Sequence, residues 1–436
     1  MLKQAASLCI AGLILIGCAG GKKVSVSMSQ EEASRSLSQL QKRVQEHPDD
    51  LKARLELAKA QAALGKIDTA LVVVNDVLRD DPHYYVAYLL RAQLLEKKGE
   101  TLEQYKTLLA LFQQPDTDKY VQQVAEELGS PYPIRLFELG PGNHLMLRFS
   151  PDGSKIVWQS DRKGNWDIFL AQADGRLTQA LTMSPADDEM PTFVAQGKAV
   201  VFTSSRDDLT PRARGEKNRE LYFLDLGGRS PVRLTENMAD DWFPVATSDS
   251  LSFVYVSEEG DNRPVKFFEK HSNLFKFSFA DTSYQALTQD AWDNTSPAVL
   301  PDGRLAWVRI REAEYEIVVG HPGAEVKSLL KGPEPKSGLA VSPDGKRLAF
   351  FMKKDGNIDI YELNLESRQM RRLTADLATD FYPTYAPDGK RLFFSSNRNG
   401  LYQIFELAFD QVKSRAQLVE LLEHLIQEVE NKQTTE

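Results

Sequence analysis

A chain of 436 residues has room for two or more domains with sizeable cores. Its 53 basic residues against 62 acidic ones leave a net charge of −9, and no basic stripe stands out, which speaks against a binder of nucleic-acid phosphates. Both cysteines, Cys9 and Cys18, fall at the extreme N-terminus, so the rest of the chain has no thiol for a disulfide, a thiolate metal site or redox chemistry.

Residues 1–18, MLKQAASLCIAGLILIGC, read as a signal peptide: Lys3 gives the charged start, and Leu8–Ile16 an apolar run too short to span a bilayer comfortably. Leu15-Ile16-Gly17-Cys18 resembles a bacterial lipobox. That resemblance implies lipidation at Cys18, which becomes the first mature residue, diacylated at sulfur and acylated at its amine; several acyl chains anchor stably where one does not. Ala19 after the cysteine, in place of Asp, implies the outer membrane on the same resemblance. A polar tether, 19–29, follows.

From 30 to 130 the periodicity is helical. Residues 51–64 carry apolar side chains at 51, 55, 57, 58, 62 and 64, with Gly65 as a stop. A second helix spans Thr69–Leu78, and flanking helices are expected at Gln30–Glu46 and Lys119–Leu128. HPDD (47–50), DPHY (81–84) and QPDT (114–117) place Pro48, Pro82 and Pro115 at intervals of 34 and 33, and Gly65 and Gly99 also stand 34 apart. A two-helix unit at this period resembles the tetratricopeptide repeat (TPR). Residues 51–82 are similar to it in Leu57-Ala58, Gly65, Ala70 and Pro82, and 85–115 in Tyr88, Ala92, Gly99 and Pro115; Gln104 departs from it, where the family has a small residue. The resemblance implies a peptide groove or a docking spacer. Pro131, Pro133 and Gly140-Pro141-Gly142 mark a linker.

Beyond it the chain repeats a β-unit. SPDG (150–153), LPDG (300–303), SPDG (342–345) and APDG (386–389) are turns between apolar runs, with VAQG (194–197) and TSDS (247–250) as their decayed counterparts. Thr182, Thr235 and Thr288 close "LT" strands at intervals of 53, as Pro191, Pro244 and Pro297 do at the other end of the unit; Thr374 and Pro383 extend the series. The spacing gives six units, 144–182, 183–235, 236–288, 289–330, 331–374 and 375–409, and four-stranded units at this period predict a six-bladed β-propeller. The fold class is thus multidomain: α-helical repeats, then an all-β propeller over about 133–410, then a C-terminal helix. YPTYAPDGKRLFFSSNRNGLYQIFEL (382–407) and LAVSPDGKRLAFFMKKDGNIDIYEL (339–363) resemble the TolB-type propeller family. The last unit is one strand short, and Ile134–Leu139 is expected to supply it and close the ring.

The loops leading into the innermost strands read D-x-x-P at Asp188, Asp241 and Asp380, with Asn294 in the fourth place. Symmetry predicts a partial acidic ring around one mouth of the channel, with Arg162, Arg206 and Arg398 in Ser-containing turns beside it and Trp242 next to Asp241. Two readings stand. In one the Asp cap turns and each Arg pairs with a carboxylate of the adjacent blade. In the other the mouth receives a basic loop or a cation, and the TolB resemblance implies a partner protein there. Two insertions, 207–220 with Arg212, Arg214, Lys217 and Arg219, and 262–272 with Lys266, Phe267, Phe268 and Lys270, are further recognition candidates. Residues 412–429 place Leu418, Leu421, Leu422, Leu425, Ile426 and Val429 on one face of an amphipathic helix, expected to pack on a domain, with KQTTE frayed after it.

No catalytic or metal signature appears: six scattered His without H-x-x-H spacing, no G-x-S-x-G elbow, no Walker or Rossmann glycines. No catalytic residue, metal or cofactor is assigned. The expectation is a non-enzymatic, lipid-anchored envelope protein, outer-membrane-bound and facing the periplasm, that scaffolds envelope or secreted proteins. The alternative is a propeller channel that binds or cleaves cell-wall polysaccharide, for which aromatic platforms at the mouth would be the mark; Trp242-Phe243 and Phe381-Tyr382 are the only such pairs in the entry loops.

Overall fold

Six helical segments follow one another between Gln30 and Glu127 in a computed structural model that describes residues 28–213, 216–228, 230–237, 239–261, 263 and 270–435. The signal peptide, Cys18, Arg214 and the Lys266-Phe267-Phe268 stretch lie outside the described residues. The chain divides after Gln123 into two compact units, the first helical and the second holding the propeller and the C-terminal helix.

In the first unit the expected helices form at Gln30–Glu46, Leu51–Ala63 and Ile67–Asp80, and Val86–Lys98 and Thr101–Phe112 repeat the hairpin. Asp50 starts the second helix by accepting the Ala53 N–H at 2.9 Å, which satisfies one of its orphan donors. Ala58, Ala70 and Ala92 are at most 1% exposed, so the small residues of the repeat are where helices approach most closely. Gln104 does not prevent the second hairpin: it sits on a helix whose buried face is Thr107, Leu108, Leu111 and Phe112.

The propeller consists of six four-stranded antiparallel sheets. Five are consecutive: 144–180, 188–233, 241–286, 293–332 and 336–372, hereafter blades one to five. Blade six takes three strands from 380–408 and its outer strand, Ile134–Leu136, from before blade one. Ile134, Arg135 and Leu136 pair with Leu407, Glu406 and Phe405, so the ring closes as the missing strand required. The middle strands are buried on both faces, as in Ala199–Ser204 and Ser252–Ser257, because each sheet packs between two neighbours. Each seam has its own apolar cluster, such as Trp158, Phe169 and Phe393 between blades one and six.

The Pro-Asp-Gly turns interlock around one face. A Cβ on Gly153 would come within 3.2 Å of Pro387, and one on Gly345 within 3.2 Å of Pro301, so the proline of one blade seats on the glycine of the next. Both glycines also have positive φ, 72° and 69°. The TSDS turn, decayed in sequence, keeps this geometry. Thr247 Oγ1 donates to Asp249 at 2.6 Å just as Ser150 donates to Asp152, and Ser250 takes the left-handed place of the glycine at φ 56°. A hydroxyl–carboxylate bond can thus hold this turn without proline or glycine, whereas LPDG and APDG form it with no hydroxyl, their glycine N–H donating to the Leu300 and Ala386 carbonyls.

The C-terminal helix runs Arg415–Thr435, so residues 432–435 are helical where fraying is expected from the sequence, and Glu436 lies outside the described residues. Leu418, Leu422 and Leu425 are buried along one face of this helix. Lys413, just before it, is buried and donates to Ser130 Oγ at 3.0 Å and the Tyr132 carbonyl at 2.5 Å.

Candidate functional site

One residue at the start of each innermost strand faces the interior, not the mouth: the first in five blades, and in blade four the second, Asn294, since that strand begins at Asp293. His144, Asp188, Asp241, Asn294, Lys336 and Asp380 hold equivalent places, and none is more than 2% exposed. The acidic ring expected at the channel mouth is therefore corrected: Asp188, Asp241, Asp380 and Asn294 form a buried ring with no surface to present. Arg206 Nη2 donates to both oxygens of Asp188 at 2.8 Å, and Arg398 Nη2 to those of Asp380 at 3.0 and 3.1 Å. These pairs lie within one blade, not across to the adjacent blade, because the arginine follows the strand that the aspartate's own strand pairs with. Each guanidinium also covers a third-strand ring, Arg206 over Tyr222 at 4.6 Å and Arg398 over Phe405 at 4.9 Å. The recurrent Ser-x-Arg and Ile-Phe or Leu-Tyr markers are thus one device. Blade one departs: Arg162 covers Phe169 at 4.4 Å but donates to the Leu139 carbonyl at 2.6 Å, since His144 stands where blades two and six have Asp.

The "LT" threonines stitch strands within blades. Thr182, Thr235, Thr288 and Thr374 Oγ1 accept the backbone N–H of Ile168, Leu221, Leu274 and Ile360 at 2.9–3.0 Å. Beside each stands an acid or amide, Asp167, Glu220, Asn273 or Asp359, and the three acids act on the buried aspartate of the next blade, Asp188, Asp241 and Asp380. Carboxylates therefore meet in the dark at three seams. Burial, then Asp188, pushes Asp167 up to about 6, and burial pushes Asp359 up to about 7 against the pull of Arg372. The seam between blades two and three is the least compensated. Glu259 stands where Arg206 and Arg398 stand in blades two and six, and burial pushes the Asp241 carboxyl up to about 7. Asp241 Oδ1, Glu220 Oε2 and the Tyr255 hydroxyl have no hydrogen-bond partner among the described residues.

The mouth is built by the next two residues of each inner strand. Every inner strand carries a bulge, and the residue two places past the buried one has positive φ: Met146 57°, Met190 53°, Phe243 51°, Ser296 51°, Gly338 64° and Tyr382 50°. A left-handed non-glycine residue costs about 1–2 kcal/mol, and such strain gathers at functional sites. Phe243 and Tyr382, from blades three and six on opposite sides of the ring, meet at 6.1 Å between centroids and bar the channel. Tyr382 also packs on Phe351 at 5.6 Å and Phe381 at 5.7 Å, and Phe381 on Tyr402 at 6.0 Å. All five rings keep some solvent contact.

Charges flank these rings. Arg219 pairs with Asp240, Nη2 to Oδ2 at 2.5 Å, and lies 5.5 Å from the ring of Trp242, which is half-buried. Burial raises Glu189, and raises Glu258 to about 7 with Asp240 adding to it. Of the insertion 207–220, the described part is ordered by Asp208, which accepts from Arg212, Thr210 and Asn218, while Lys217 donates to its carbonyl. In the helical unit, Tyr85 packs on His83 at 6.1 Å and Tyr120 at 6.2 Å with Lys119 over both tyrosines, an aromatic cluster that linear spacing conceals. Of the eight residues proposed for the mouth, only Trp242 lies at the mouth surface. Phe243, Tyr382 and Arg219, noted in the sequence in the aromatic pairs of the entry loops and in the 207–220 insertion, also gather there, and Glu189 is the one the sequence reading missed; each ring is the residue just before a D-x-x-P proline.

Residues 281–421 match the family model for the TolB beta propeller domain, and residues 30–130 match one for the tetratricopeptide repeat. An uncharacterized protein of Agrobacterium fabrum is 36% identical over 113 residues, 26% of this chain and 36% of that protein. The Tol-Pal system protein TolB of Ruthia magnifica subsp. Calyptogena magnifica is 33% identical over 84 residues, 19% of this chain and 20% of that protein. The matches thus span about a third or less of these curated relatives. The crystal structure of TolB from Acinetobacter baumannii is similar at 20% identity and a TM-score of 0.48, over 56% of this chain and 57% of that one. The family matches and the six closed blades agree: the chain carries a TolB-like six-bladed β-propeller preceded by TPR-like helical repeats.

Proposed function

We propose that this protein is a non-enzymatic scaffold of the bacterial envelope, anchored through Cys18 to the outer membrane on its periplasmic side, whose propeller mouth docks one protein and whose helical repeats dock another. The observation that carries the reading is the aromatic floor of the mouth. Phe243, Phe351, Phe381, Tyr382 and Tyr402 pack together with solvent on one side, and Glu189, Arg219 and Glu258 surround them. Aromatic surface rimmed by charge is the composition of interface cores. Among the described residues, no helix is long and apolar enough to cross a membrane.

The test is affinity capture of the lipidated chain from its own envelope, beside a variant with Phe381→Ala and Trp242→Ala. A protein lost from the variant, with its thermal transition retained, supports mouth docking. Identical captures would reject it. Polysaccharide binding is the second reading, favoured by the same rings, and retention of purified cell-wall polysaccharide by the protein alone would select it. Hydrolysis by Asp188, Asp241 and Asp380 is not part of it, since all three are fully buried.

A further inference from the structure

Arg148 stands on the innermost strand of blade one, two residues past the bulge residue Met146 and so on the Pro-Asp-Gly side of the aromatic bar. At its register position the other blades carry Thr192, Val245, Ala298, Ala340 and Thr384, so no other blade sets a charge or a long side chain there. Its hydrogen bond is weak, from Nη1 to the Leu147 carbonyl at 3.2 Å. Among the described residues the Tyr382 phenol is the one ionisable group that acts on it, and no carboxylate does. Arg206 and Arg398, by contrast, each have a buried aspartate. Desolvation pushes the Arg148 guanidinium down to about 10, so the site favours the arrival of a negative charge. The side chain is only partly shielded from solvent, which leaves donors of its planar fork open to the channel.

We infer that the central channel is an anion site in which Arg148 binds a carboxylate, below the Phe243–Tyr382 bar. A guanidinium fork matches a carboxylate bidentately, and the small residues at its level leave space for one. The carboxylate comes either from an acidic side chain of an inserted segment or from a free organic acid. The site is separate from mouth docking and stands or falls without it.

The test is titration of the full-length protein with sodium succinate and, separately, with a hexaglutamate peptide, at fixed ionic strength in sodium chloride, followed by calorimetry. Saturable binding is expected for at least one probe, weakened about tenfold or more in Arg148→Met and less in Arg148→Lys, which keeps charge but loses the fork. Succinate binding assigns the site to free acids, and binding of the peptide alone assigns it to acidic segments. The melting temperature of Arg148→Met is expected to hold or rise, because an unpaired desolvated cation is removed. Equal binding by wild type and Arg148→Met overturns the inference. So does a wild type that binds neither probe, a result that needs no variant to fold. Capture of a protein at the mouth, unchanged in Arg148→Met, leaves the docking proposal standing either way.

Discussion

Phe243 and Tyr382 touch across the propeller axis, 6.1 Å between ring centroids, and both are held in the left-handed region at φ 51° and 50°. Two strained residues from opposite blades therefore close the channel between them. Phe243→Gly relieves the backbone strain while removing the ring, so its cost is expected within about 1 kcal/mol. Phe243→Ala removes the ring and keeps the strain, so it is expected to cost about 1 kcal/mol more than the glycine variant. Denaturant unfolding of the two decides it; equal stability would show that the φ angle stores nothing.

The Asp380–Arg398 pair is buried on the acid side and shared by Arg398 with Asp376 at 2.9 Å. Breaking one side leaves uncompensated buried charge, so Arg398→Met is expected to cost about 3–5 kcal/mol. Asp380→Asn added to it should recover much of that loss, since the amide carries no charge. Equilibrium unfolding of the single and double variants measures the coupling, and an additive double variant would refute it.

Blade three predicts a pH dependence. Asp241 titrates at about 7 in the fold, above the roughly 3.9 of an unfolded aspartate, so the native state binds the extra proton. Its contribution is fully present below the unfolded value and is lost as pH rises through about 7, at up to about 1.4 kcal/mol per unit. Glu220 and Tyr255 face it, and Arg233 serves Glu220 at 2.8 Å rather than Asp241. Blade four already holds an amide at the equivalent place, where Asn294 accepts from Trp307 Nε1 at 2.9 Å. Asp241→Asn should therefore unfold with a flatter pH profile and exceed wild type in stability above neutrality. Parallel profiles would show that Asp241 stays ionised.

Ring closure rests partly on Phe137, whose N–H donates to the Ile404 carbonyl at 2.9 Å and whose ring meets Phe393 at 5.2 Å. Phe137→Pro removes both and is expected to cost about 2 kcal/mol, with Phe137→Ala losing only the ring contribution of about 1 kcal/mol. Thermal unfolding followed by near-ultraviolet dichroism ranks them; equal losses would show that the hydrogen bond closes nothing.

Local chemistry wrote much of this architecture into the linear order. Turns at Asp-Gly, threonines closing strands and prolines at fixed spacing announced six blades. A blade short of one strand announced where the ring closes, because an unpaired edge must be met. Helical repeats were legible for the same reason: spacing of alanine, glycine and proline reflects contacts between neighbours in the chain. These signals depend on backbone geometry within a few residues.

The destination of the side chains was not legible. An innermost propeller strand is covered by neighbouring blades on both sides, so the alternation of polar and apolar residues that reveals orientation elsewhere is lost. Asp188, Asp241 and Asp380 look like mouth residues in sequence, and packing against the seam buries all three, Asp188 and Asp380 beside an arginine of their own blade and Asp241 beside Glu220 of the preceding one. The bulge that turns Phe243 and Tyr382 toward each other joins opposite sides of the ring, and Arg148 is left without a carboxylate only because five other strands place small residues around it. Blades, their order and their closure could be read from the linear chain, since each follows from nearest neighbours. Tertiary structure alone decided what lines the channel, since that depends on residues of six strands far apart in the chain meeting at one axis.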